Sequence, residues 1–265
     1  MTERACLIRW VNVHKSFGSN DVLRGVTVEV CRGETLAVVG RSGEGKSVLL
    51  KTLVGLVRPD SGEIWVNGRQ ILGDREALDA SRRLCGMVFQ SAALFDSLAV
   101  GENLALPYWE GTDLGIEQIE AKIGRLLAVV GMEGLEGLMP AELSGGMRKR
   151  VSLARALADE PEIILYDEPT TGLDPIMADT INNLIIQMQR ELSVTSIVVT
   201  HDLQCVRKVA DYVAMLHEGT IIFYGPVREF LRSEMPAIRQ FIEGSAEGPI
   251  HVVTRTVGES GGFDG

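Results

Sequence analysis

Along the first third of the chain the apolar residues alternate with polar ones. Leu7 to Val11 and Val26 to Val30 both read this way, on either side of a polar turn around Phe17 to Asp21, which predicts antiparallel strands. Pro59-Asp60-Ser61-Gly62 marks a turn into a further strand, Glu63 to Val66. Thr35 to Val39 is different: a short unbroken apolar run, as in a strand covered on both faces, followed by a glycine-rich loop and a predicted helix from Lys46 to Val57. From Ser91 to about Asp159 the spacing becomes helical, most clearly in Ile116 to Val130 and Met147 to Leu157, so this region reads as a helical insertion. Two more buried strands are predicted at Ile163 to Tyr166 and Ser196 to Thr200, with an amphipathic segment, Ile176 to Leu192, between them; that alternation implies a parallel sheet covered by helices. Tyr212 to Leu216 and Thr220 to Tyr224 bracket His217-Glu218-Gly219 as a hairpin. After Gly244 the composition turns to Gly, Ser and Glu, with only Ile250 to Val257 mildly strand-like, and residues 245–265 are expected to form a loose tail or a docking segment.

Bulk composition narrows the class. With 265 residues, 45% of them hydrophobic, the chain can bury a substantial core as one elaborated domain. A formal net charge of -10 argues against a broad basic footprint, so neither nucleic acid nor an anionic lipid surface is expected as a direct partner. Cys6, Cys31, Cys85 and Cys205 are scattered without a Cys-x-x-Cys pair, which fits a reducing compartment and suggests neither a zinc site nor a disulfide framework. Met1 to Ala5 is unlike the start of a secretory signal, and no stretch approaches the roughly 20 apolar residues that span a bilayer. Membrane association is therefore expected only through a partner chain.

The candidate chemistry lies on the loop after Thr35 to Val39 and at the exits of the later strands. Gly40-Arg41-Ser42-Gly43-Glu44-Gly45-Lys46-Ser47 fits G-x-x-x-x-G-K-[ST] without a gap, and Val48 closes the set expected against the phosphates. Its glycines let successive N–H groups turn onto phosphate oxygens at a helix N-terminus; Lys46 is expected at the outer phosphates and the Ser47 hydroxyl on Mg²⁺. Glu44 is an oddity, since a carboxylate aimed into this loop would repel phosphate, so it is expected to face outward. Asp167 and Glu168 leave an apolar strand side by side and point differently, so Asp167 is assigned to Mg²⁺ and Glu168 to the attacking water. His201 closes the next strand and is expected to hydrogen-bond the terminal phosphate, whereas His14, His217 and His251 lack such a context. Gln90 either touches Mg²⁺ or the attacking water or is an ordinary polar strand end. Phe17 either stacks on adenine or belongs to the core. Ser144-Gly145-Gly146, a helix start between the phosphate loop and the acidic strand exit, suggests an ATPase whose site a second subunit completes.

In this order and spacing, these residues resemble the ATP-binding subunit of ABC transporters, over nearly everything from Leu7 to Gly244. In that resemblance Gly40 to Ser47 matches the Walker A motif, Gln90 the Q-loop, Leu143 to Met147 the signature, Ile163 to Asp167 Walker B, Glu168 the catalytic base, Gly172-Leu173-Asp174 the D-loop and His201 the switch histidine. It implies an α/β fold: a P-loop NTPase RecA-like core, an N-terminal antiparallel β-subdomain and a helical subdomain at about 91–159, together spanning residues 1–244. It also implies two copies head to tail around two Mg-ATP, with Asp174 among the nucleotide-binding residues, on integral-membrane permease subunits at the cytoplasmic face of the inner membrane. The signature ends in Met147 where the family usually has Gln. The stretches Leu138 to Arg150 and Phe89 to Asp96 look like the Mla/Mce-type branch, which implies transport of phospholipid or another hydrophobic substrate between envelope membranes, with an Mce-type substrate-binding protein and other accessory chains. An amino-acid-type importer shares every site residue and stays open as an alternative, with a soluble non-transport ABC ATPase behind it. The Ala, Leu and Phe of Ser91 to Pro107 suit a groove for a permease coupling helix, or a plain subdomain core.

Overall fold

The computed structural model describes residues 6–250. The N-terminal hairpin runs longer than its alternation suggested: β1 (Cys6–Phe17) and β2 (Asn20–Cys31) pair up to the turn at Gly18 and Ser19, and β4 (Ser61–Val66) and the short β5 (Arg69–Gln70) extend the sheet in the order β2-β1-β4-β5. The second sheet holds β3 (Thr35–Val39), β6 (Cys85–Val88), β7 (Ile163–Asp167), β8 (Thr195–Val199), β9 (Tyr212–His217) and β10 (Thr220–Pro226) in the order β10-β9-β3-β8-β7-β6. Its members are parallel from β9 to β6, and β10 closes the edge as the antiparallel arm of the expected hairpin.

The apolar runs of the central strands are continuous because both faces are covered. Ile163 and Leu165 enter the core shared with the antiparallel sheet and α1 (Lys46–Leu53), while Ile164 and Tyr166 enter the core beneath the helices. That second core is built by α3 (Val100–Gly111), α4 (Ile116–Val129), α5 (Gly145–Ala156) and α6 (Pro175–Leu192). The first helix stops at Leu53, earlier than the predicted Val57. Gly55 takes φ 67, and the N–H groups of Leu56 and Gly55 return to the carbonyls of Lys51 and Thr52, a Schellman ending that terminates the helix. Four helices were not anticipated: α2 (Arg75–Leu84), α7 (Leu203–Val209), α8 (Val227–Leu231) and α9 (Pro236–Glu243).

The segment after Gly244 starts out fastened. The Gln240 amide accepts from Ile250 N at 2.7 Å and donates to Ile250 O at 3.0 Å, and Ile250 is buried in a third core with Val39, Phe230 and Ile238. His251 and the rest of the strand-like reading up to Val257 lie outside the described residues, as do residues 1–5.

Gly86 joins the sheet to the signature-bearing helix. A Cβ there would sit 2.1 Å from the Ala156 carbonyl oxygen, so backbone would have to move. Gly86→Ala is expected to destabilise the protein by about 1–3 kcal/mol, the usual range for overpacking, read as a lowered denaturation midpoint. An unchanged midpoint would mean that β6 and the end of α5 are not packed this closely.

Candidate active site

The site lies at the carboxyl ends of the parallel strands, where β3, β7 and β8 deliver their following residues. Gly40 has φ 151, and a Cβ on it would meet Leu216 O at 2.4 Å, so the first position of the loop admits no side chain. Gly45, at φ 96, starts α1 with no side-chain cap and no acid in the first turn, which leaves the helix N–H groups and dipole for an anion. Lys46 is buried and donates to Gly40 O at 2.9 Å and Arg41 O at 2.8 Å, with Glu168 at 4.0 Å. Burial pushes its ammonium below the ordinary lysine value, an effect opposed by Glu168, Glu44 and Asp167. Val48 sits in the first turn of the same helix, packed against the core.

Ser47 and Asp167 converge: the hydroxyl donates to Asp167 Oδ1 at 2.5 Å, and Asp167 is 4% exposed. A hydroxyl and a carboxylate oxygen side by side are the hard donors that Mg²⁺ accepts while it keeps phosphate and water as its remaining ligands, so the residues fit that ion. Glu168 takes a left-handed conformation, φ 52, held by its N–H on Val199 O at 2.9 Å. Its carboxylate accepts from Thr171 Oγ1 at 2.9 Å and lies 2.9 to 3.0 Å from His201 Nδ1. Asp167 and Glu168 thus point apart, one toward Ser47 and the other toward Lys46 and His201. Thr171 was not foreseen; a hydroxyl three residues after Glu168, in the turn that reverses the chain, was its only signal.

Glu44 turns onto the β9–β10 turn, where its carboxylate accepts from Glu218 N at 2.6 Å and meets His217 Nδ1 at 3.2 Å. That accounts for a carboxylate in a phosphate loop, and it gives His217 a partner the sequence did not reveal. An open cleft between this turn, the loop and the N-terminal hairpin is lined by Asn20, Asp21, Arg24, Arg41, Ser42 and Gly43. Phe17 stands on that hairpin 51% exposed, with Lys15 Nζ 5.2 Å from its ring centroid, so the core reading for Phe17 is set aside.

Gln90 is exposed, and its carbonyl accepts from Lys149. The signature residues have other neighbours than the phosphate loop. Ser144 caps α5 by accepting from Met147 N at 3.2 Å; Ser144 and Gly145 are exposed, while Gly146 is buried beside Met177. Met147 packs against the helical core, which explains an apolar side chain at that position. Asp174 caps α6 by accepting from Ile176 N and Met177 N, both at 3.0 Å. Phe95 is 55% exposed in the loop after Gln90.

A family model described as ABC transporter matches residues 23–171. Protein TRIGALACTOSYLDIACYLGLYCEROL 3, chloroplastic, of Arabidopsis thaliana is 42% identical over 92% of this chain and 75% of its own length. The probable ribonucleotide transport ATP-binding protein mkl of Mycobacterium tuberculosis is 41% identical over 89% of this chain, which spans 66% of that relative. The intermembrane phospholipid transport system ATP-binding protein MlaF of Haemophilus influenzae is 38% identical over 92% of this chain and 93% of the relative. Among solved structures, the dimeric post-hydrolysis state of the ATP-binding cassette MJ0796 bound to ADP and Pi aligns with a TM-score of 0.76 at 30% identity, over 83% of this chain and 99% of that one.

Proposed function

Because this chain belongs to the ABC transporter family and is an ATPase of that fold, we propose that it powers phospholipid or other hydrophobic-substrate transport between envelope membranes. The likeness to MlaF over nearly the full length of both chains carries the substrate class. In this reading two copies close head to tail on two Mg-ATP. Each ATP lies between the loop Gly40 to Val48 of one protomer and Ser144, Gly145 and Gly146 of the other, with Asp174 at the interface. The exposure of Ser144 and Gly145 at an acid-free helix start supports that arrangement, because N–H groups and dipole are presented outward to a phosphate.

Mg²⁺, held by Ser47 and Asp167 with Gln90 nearby, would neutralise charge on the outer phosphates. Glu168 takes the proton of the attacking water, His201 contacts the terminal phosphate, and Lys46 binds the outer phosphate oxygens. Phe17, exposed beside the cleft, stacks on adenine through the ring face opposite Lys15. No helix among the described residues is long and apolar enough to cross a membrane. Attachment to the cytoplasmic face of the inner membrane then falls to permease subunits, received near Phe95, and an Mce-type protein and other accessory chains complete the assembly.

Affinity purification from membranes tests this reading. Permease chains and bound phospholipid are expected to accompany the protein; a soluble amino-acid or nucleotide receptor in their place would overturn the lipid assignment.

A further inference from the structure

Lys149 lies on α5, five residues beyond the Ser144 cap, and is 5% exposed. Its ammonium has three N–H donors, and all three go to main-chain oxygens: Gln90 O at 2.5 Å, Glu168 O at 3.2 Å and Phe89 O at 3.4 Å. Two of these carbonyls belong to the residues assigned to the metal and to the water, on segments that follow different strands, β6 and β7. Six residues further along the same helix, Arg155 donates to Ala92 O at 3.1 Å and Ala93 O at 2.7 Å. Ala92 and Ala93 both have positive φ, 63 and 49, as does Glu168. Side chains with a Cβ hold that conformation only where the surroundings impose it. Lys149 and Arg155 therefore hold the turn after β6 by the carbonyls of Phe89, Gln90, Ala92 and Ala93, and Lys149 extends the grip to Glu168.

A carboxylate partner would anchor Lys149 to one flexible side chain, whereas three carbonyls anchor it to backbone. The position of the Glu168 carboxylate follows from that backbone, since its N–H is fixed on Val199 O and its C=O on Lys149 and Thr171 N. Resting on the assignment of Glu168 and Gln90 to hydrolysis, we propose that Lys149 is a positioning residue of the ATPase. It ties the main chain at Gln90 and Glu168 to the helix that presents Ser144, so that both side chains keep their reach to the γ-phosphate and its water. Burial lowers the Lys149 pKa from the ordinary lysine value, and the nearby Asp167 and Glu168 carboxylates oppose that shift.

The test compares steady-state ATP hydrolysis by wild type, Lys149→Met, Lys149→Arg and Glu168→Gln in the full-length protein. Lys149→Met keeps the length of the stem and removes every donor; it is expected to lower kcat about ten- to a hundredfold, the scale of a small misplacement of reacting groups, with KM for ATP within about twofold. Lys149→Arg, whose guanidinium can still donate to two of the carbonyls, is expected to recover most of that loss. Unchanged kcat in Lys149→Met, a loss confined to KM, or a folded Lys149→Arg as poor as Lys149→Met would overturn the proposal. Should Lys149→Met fail to bind ATP, Lys149→Leu, which also lacks every donor, carries the same thresholds. If Glu168→Gln retains turnover, the reading of the site itself has failed; if it loses turnover while Lys149→Met does not, only the role of Lys149 has.

Discussion

Replacing Glu168 by Gln is expected to lower ATP turnover by ~10²–10⁴-fold, the range for removing acid–base assistance, while ATP binding persists. The geometry explains why binding and turnover separate. Glu168 is 7% exposed, held by Thr171 and His201, and touches the phosphate loop only at 4.0 Å through Lys46. Gln keeps the shape and can still meet Thr171 and His201, but an amide has no basic oxygen to take a proton from water. The loop glycines, Lys46, Ser47 and Asp167 are untouched, so nucleotide accumulates in the closed form. The measurements are steady-state hydrolysis and sedimentation with ATP: a stable ATP-bound dimer is expected for Glu168→Gln and a transient one for wild type. Turnover above a tenth of wild type would remove Glu168 from the role of base.

Gly145→Leu is the second large effect. Gly145 is exposed, and an added Cβ would find Leu173 Cδ2 at 3.8 Å as its nearest neighbour, an ordinary contact, so the variant protomer is expected to fold and to bind ATP in its own loop. In the proposed sandwich the isobutyl group then stands where the partner's γ-phosphate approaches the start of α5. Loss of those N–H contacts is expected to reduce turnover by ~10²-fold or more, as for deletion of a preorganised oxyanion donor. ATP affinity of the isolated chain, followed with a fluorescent analogue, should stay near wild type. A Gly145→Leu variant that hydrolyses ATP normally would mean that the signature plays no part in the chemistry.

Most of the site was legible because it depends on local patterns. A phosphate loop needs only a strand, glycines and a helix in sequence, and the apolar runs at Ile163 and Ser196 announced the two strand exits that carry Asp167, Glu168 and His201. What escaped depends on contacts between distant segments. Glu44 is explained by Glu218 and His217, more than 170 residues away. Lys149 looks like one more surface lysine in Arg-Lys-Arg until α5 docks against β6. The helices α2, α7 and α9 are short, so their apolar period hardly repeats; their starts were nonetheless marked by Asp74, Asp202 and Pro236. The Gly-rich composition after Gly244 concealed how Gln240 and the buried Ile250 fasten the chain there.

The central claim is that each hydrolytic centre needs both protomers, and mixing two inactive variants tests it most directly. Lys46→Ala lacks a working phosphate loop but keeps its signature; Gly145→Leu keeps the loop and lacks the signature. Each alone is expected to be nearly inactive. When mixed in equal amounts, roughly half of the dimers contain one of each, and every mixed dimer holds one complete site, so turnover should rise to roughly a quarter of wild type. Recovery on mixing is the predicted result; a mixture no more active than its two components would contradict the account.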